Sequence, residues 1–178
     1  LICREGRWGG WVNCGGWLTV GGRPVDVILR DWQRVKDVVR ATDRGVFACH
    51  YQPGHPHAFV DAAYRGELAC CRTLYARSGA FEAVKRRAEV YPPALRRALM
   101  DFFLFEAGFS CGLAEKYAAG ADAYYLAGQL FRAVSALNQV LFALNGAWLL
   151  NEKKAVQRAG GLPIAPADYA ARVQAVFT

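Results

Sequence analysis

Two long apolar stripes, separated by one helix-breaking turn, limit most tightly what this chain can fold into. After Pro92-Pro93, the residues Leu95, Leu99, Phe102, Phe103, Phe109, Leu113 and Tyr117 recur at three- and four-residue steps as far as about residue 119. That spacing gathers them on one face of an α-helix. Pro93 suits the first helical position, where its missing N–H leaves no intrahelical bond unmade. Gly120 ends the run, and Asp122 is placed to cap a second helix carrying Leu126, Leu130, Val134, Leu137, Leu141 and Leu144. Two striped helices joined by so tight a turn must pack antiparallel. A shorter amphipathic helix over 80–91, with Phe81, Val84 and Ala88 on its apolar side, precedes them, and another follows over 168–177. Together they make a four- or five-helix bundle.

The first part of the chain is built differently. Trp17-Leu18-Thr19-Val20 and the stretch 22–31 read as two strands, and Gly21-Gly22 between them supplies the positive φ angles of a tight hairpin turn. In the second strand Val25, Val27 and Leu29 take one face, and Asp26, Ile28 and Arg30 the other. A carboxylate in mid-strand has to be solvated, paired, metal-bound or neutralised. Asp26 therefore lies on a solvated face, pairs with Arg23 or Arg30, or serves a site. Asp31 caps a helix over 32–41; a turn at 43–45, a third strand over 46–51, an irregular stretch at 52–57 and a helix-like mixture over 58–66 follow. The composition changes across 70–79. This sets a sheet-bearing part, 1–69, apart from a helical part, 70–178.

Hydrophobic residues make up 54% of the 178 residues and charged ones 21%, which allows a substantial core and excludes a disordered chain. The net charge of +7 favours phosphate-bearing partners. The densest basic pairs, Arg86-Arg87, Arg96-Arg97 and Lys153-Lys154, do not extend into a run of the nucleic-acid kind, so nucleic acid is not the expected partner. None of the six cysteines forms a C-x-x-C. No apolar run is long enough to span a bilayer, and 1–20 lacks a basic end followed by an apolar core. Reduced thiols and a cytoplasmic location are the expectation. His50, His55 and His57 cluster with Pro53 and Pro56; His-x-His in a loop binds metal or is simply solvated.

Polar residues inside the second long stripe stand out. Asn138 and Asn145 are seven apart and share a helix face, with Arg132 nearby. They form an exposed polar stripe, or satisfied core amides, or a row of donors facing a cleft between bundle and sheet. Further on, Asn151-Glu152-Lys153-Lys154 joins a helix end to the start of an alanine-containing helix, and Gly160-Gly161-Leu162-Pro163 follows.

The stretch from Gly15-Gly16-Trp17-Leu18-Thr19-Val20 through Arg30-Asp31 resembles the third-carboxylate strand of nucleotidyltransferases with the polymerase-β-type fold. The strand and loop around 51–59 and the helical part resemble small bacterial and aminoglycoside-type members of that superfamily. In the family a Gly-Ser motif and an Asp-x-Asp pair precede this strand, and the three carboxylates hold divalent metal on a nucleoside triphosphate. This chain has no Gly-Ser followed by Asp-x-Asp before Asp26, and it starts at Leu1 close to the third strand. It is therefore expected to be a fragment that transfers nothing by itself.

The resemblance implies an α+β architecture: part of a mixed nucleotidyltransferase sheet followed by an antiparallel helical bundle. It implies magnesium, a nucleoside triphosphate such as ATP, and a small-molecule acceptor whose hydroxyl attacks the α-phosphorus. Asp26 would complete the metal site or act as general base. Lys153 would reach the triphosphate, with Lys154 as the alternative, Glu152 orienting it and Arg132 and Arg30 as further counter-charge. Asn138, Asn145 and Glu152 would face the acceptor, and a homodimer is open. The rival reading is a helical binding or antitoxin-type module with an inactive nucleotidyltransferase remnant, whose face of Arg86, Arg87, Arg96 and Arg97 would meet RNA or a protein.

Overall fold

The computed structural model describes every residue except Leu1, Arg4, Glu5, Asn13 and Ala121, with only the backbone of Ile2 and Cys3. The thiol of Cys3 thus lies outside the described residues; the other five cysteines are free. Strands β1 (Ile2–Cys3), β2 (Cys14–Val20) and β3 (Arg23–Leu29) form an antiparallel sheet in that order. Gly21 and Gly22 take φ of 56° and 76°, the two consecutive left-handed residues that match a hairpin's twist. The register sets Asp26 opposite Trp17. Every residue of β3 is exposed, and its outer edge is unpaired among the described residues.

Asp31 caps α1 (Trp32–Asp43), its carboxylate accepting from the N–H groups of Gln33 and Arg34. The expected third strand shrinks to β4 (Cys49–His50), which pairs antiparallel with β5 (Phe59–Val60). The stretch 58–66 begins in this ribbon because Phe59 and Val60 are buried there, and Asp61 closes it by accepting from the Ala48 N–H at 3.0 Å. Only then does α2 (Ala63–Cys70) start. The α+β class is as expected. All the described strand pairings are antiparallel, so the parallel pairing that a mixed sheet includes is not found among them.

Helices α3 (Gly79–Glu89), α4 (Pro93–Tyr117), α5 (Ala123–Leu144), α6 (Ala155–Gly160) and α7 (Tyr169–Val176) complete the chain. Helices α4 and α5 lie against each other along a seam of Leu95, Leu99, Phe103 and Ala107 on one side and Ala136, Val140 and Ala143 on the other. The seam departs from the aromatic stripe. Phe102 and Phe109 are exposed, while Ser110 and Ala114 are buried. Small side chains let two helix backbones approach, and the large ones are displaced to the flanks.

The joint between α1, α2 and α3 is a buried cation. Arg65, 1% exposed, donates to the carbonyls of Val39, Arg87, Ala88 and Val90, to the Thr42 hydroxyl and to Asp43. The first lies in the last turn of α1, and the other three at the end of α3, where helical carbonyls lack intrahelical donors. A guanidinium meets those carbonyls and the negative ends of both dipoles together. Gly66 beside it allows a close crossing: a Cβ there would lie 2.6 Å from Leu150 Cδ2. No helix among the described residues is long and apolar enough to cross a membrane.

Candidate functional site

The loop between β4 and β5 is bonded to the segment that joins β1 to β2 and to the segment that joins α5 to α6. Gln52, buried at its base, donates to the Trp8 carbonyl and accepts from the Trp11 N–H at 3.2 Å. At the other end the Glu152 carboxylate accepts from the N–H groups of His57 and Ala58, both at 3.2 Å. The tip turns at Gly54, φ 86°. Burial lowers the pKa of His55 on this loop, with Glu152 opposing the shift, Arg30 adding to it and Glu67 opposing it. His55 and Glu152 line one small pocket at this loop.

His57 points the other way, into the bundle. Its side chain is 5% exposed, and its Nε2 lies 3.2 Å from Glu106 Oε1 on α4. Arg132 on α5 forms an ion pair with the same oxygen. A carboxylate among phenylalanines is thus held by a cation on one side and an imidazole on the other, as its desolvation requires. Two open grooves meet at Arg132. One, of about 430 Å³, runs between α4 and α5 past Phe105, Phe109 and Glu106; the other, of about 470 Å³, runs past His57, Tyr124 and Phe131. Gln129 and Arg132 line both.

The residues singled out from the sequence are dispersed. Asp26 stands on the exposed β3 with no side-chain hydrogen bond or ion pair among the described residues. Arg30 leaves it alone: the Arg30 fork grips Glu67 through Nε at 2.9 Å and Nη2 at 2.6 Å, and its Nη1 donates to the Trp11 carbonyl. The guanidinium also lies 4.7 Å from the Tyr64 ring centre. Arg30 is committed to fastening the end of β3 to α2. Lys153 is exposed beside Glu152, and its own N–H donates to Asn151 Oδ1 at 2.8 Å. Lys154 adopts a left-handed φ of 60°. Glu152 holds the loop rather than a lysine.

Asn138 and Asn145 do share a face, and that face meets the C-terminal segment. Tyr169 donates its hydroxyl to buried Asn138 at 3.0 Å. Asn145 exchanges two hydrogen bonds of 2.9 Å with the backbone of Ile164 and caps the Leu141 carbonyl at 2.8 Å. They are satisfied amides that stitch 164–169 to α5, and neither lines the grooves at Arg132. Of the arginines in the rival reading, Arg87 pairs with Asp43, and Arg96 lies 5.9 Å from the Tyr91 ring centre. Among the described residues no three His, Cys, Asp or Glu side chains gather to hold a metal ion.

The sequence leaves His57 open as a metal ligand or a solvated loop residue, and nothing in it pairs His57 with Glu106, 49 residues away. The signal available for Glu106 was its position: a lone carboxylate within Phe102-Phe103-Leu104-Phe105-Glu106, the same anomaly that drew attention to Asp26. No protein-family model, curated protein or solved structure matches this chain.

Proposed function

We propose that the chain takes part in nucleotidyl transfer, with Asp26 and Lys153 on either side of the 51–58 loop. The observation that carries this reading is the loop itself. It is pinned through Gln52 to the segment between β1 and β2, and through Glu152, next to Lys153, to the segment between α5 and α6; Arg30, at the end of the Asp26 strand, donates to the Trp11 carbonyl of the same β1–β2 segment. Strand alternation sets Asp26 on the face from which Arg30 reaches α2. An exposed carboxylate and an exposed ammonium, neither with a hydrogen-bond or ion-pair partner among the described residues, are thereby offered to a ligand.

In such a transfer the acceptor hydroxyl attacks the α-phosphorus, the bond to the leaving pyrophosphate breaks, and the hydroxyl proton passes to a base. Asp26 is the base this chain offers, and Lys153 meets charge on the pyrophosphate. A magnesium site is a different matter. One carboxylate does not hold a divalent ion against water, and no three His, Cys, Asp or Glu side chains gather to hold one among the described residues. The described residues do not fit the metal without further ligands.

The test is release of pyrophosphate from a nucleoside triphosphate by the protein that carries this chain. Asp26→Asn changes charge but hardly volume. It should lower turnover at least about a hundredfold while melting within a degree or two of wild type. Lys153→Ala should raise the KM for nucleotide with little change in melting temperature. Unchanged turnover in Asp26→Asn would end the proposal. The helical binding module then stands, favoured by the exposed phenylalanines of α4.

A further inference from the structure

We propose that the groove between α4 and α5 is a binding site for a small planar aromatic carboxylate, with Arg132 as its anion-binding group. This rests on features separate from Asp26 and Lys153, and it holds whether or not the chain handles nucleotides. The first feature is the wall. Phe105 and Phe109 are 73% and 60% exposed, and their rings lie nearly parallel, 17° apart with centres 5.9 Å apart. Two large apolar rings so exposed are costly in water unless something flat covers them. Offset stacking on a further ring is the geometry such faces favour.

The second feature is the charge. Arg132 is about half exposed and, among the described residues, donates a single hydrogen bond, from Nη2 to Glu106. A guanidinium has five N–H donors in a rigid fork, so most of its donors are left for the grooves it lines. A fork of that kind matches a carboxylate edge-on. Glu106 itself is anchored behind it by His57, which fixes where the guanidinium sits. Gln129 adds an amide to the same lining.

Size and sign then narrow the ligand. The volume of about 430 Å³ suits one or two fused rings. A single arginine offers one anionic contact, which fits a monocarboxylate better than a polyanion such as nucleic acid.

Naphthoate and its neutral analogue naphthalenemethanol are the probes, titrated calorimetrically against the intact chain. Naphthoate is expected to bind the more tightly. Arg132→Gln should weaken naphthoate roughly tenfold and leave the alcohol unchanged, as loss of one charge-assisted contact requires. Phe105→Ala should weaken both probes. Glu106→Gln removes the competing carboxylate and should tighten naphthoate; Arg132 and Phe105 are surface residues, so their variants remain informative if Glu106→Gln fails to fold. Equal binding of the two probes, or naphthoate binding indifferent to Arg132→Gln, would overturn the proposal. So would a dimer in velocity sedimentation that Phe105→Ala dissociates, since a second copy would then fill the groove.

Discussion

At the scale of single residues, several charges of this protein are taken up by distant parts of the chain. Asp43 shows how that reaches stability. Burial raises its carboxyl pKa, but hydrogen bonds and charges from Arg65 and Arg87 outweigh burial and hold it below its ordinary value. A carboxyl depressed in the folded state stabilises above its unfolded pKa, and that contribution is lost as pH falls through the folded value. Asp43→Asn should cost about 1 to 3 kcal/mol at pH 7, because a charged hydrogen-bond partner of buried Arg65 is removed. Below pH 4 the difference should shrink. Melting curves at pH 7 and pH 3 check this, and an equal gap at both would show that the ion pairing contributes nothing. The same commitment gives two of the site candidates distant partners. Arg30 and Glu152 carry charge in the right places, but their partners, Glu67 and the His57 and Ala58 N–H groups, lie 37 and about 95 residues away. No local pattern announces such partners.

At the scale of elements, local chemistry was legible and packing was not. The Gly21-Gly22 turn, the Asp31 cap, Pro93 at a helix start and the Asp122 cap each depend on residues within a few positions, and each is found. The α4–α5 seam depends on which side chains let two backbones approach. Period alone ranked Phe102 and Phe109 above Ala107 and Ala114, and the packing reverses that order. Asn138 and Asn145 were correctly placed on one face, yet what that face touches is set by Tyr169 and Ile164. Asn145→Ala follows from this. It should cost about 1 to 3 kcal/mol and open the stretch 161–168 to limited proteolysis earlier than the rest of the chain. Unchanged cleavage kinetics there would mean that the C-terminal segment is held by its apolar contacts alone.

At the scale of the whole molecule, the arrangement is lopsided. Three apolar clusters join the helices and the β4–β5 ribbon into one body, while the β2–β3 hairpin stands out from it. Trp17, Val20, Ile28 and Leu29 are all exposed. The outer edge of β3 offers unpaired backbone donors and acceptors among the described residues, and any extended chain can add to such an edge. Pro24 removes one donor from β3, and Arg23 and Asp26 put charge along it. Between Val25, Val27 and Ile28, the Asp26 carboxylate therefore has a second consequence: it guards the strand against cross-β stacking. Asp26→Asn should scatter light sooner on storage than wild type, and Asp26→Lys should not. Equal scattering by all three would deny the guard. Turnover of the Asn variant has meaning only at concentrations where its solutions stay clear, because the carboxylate proposed as the base is the one that keeps such strands apart.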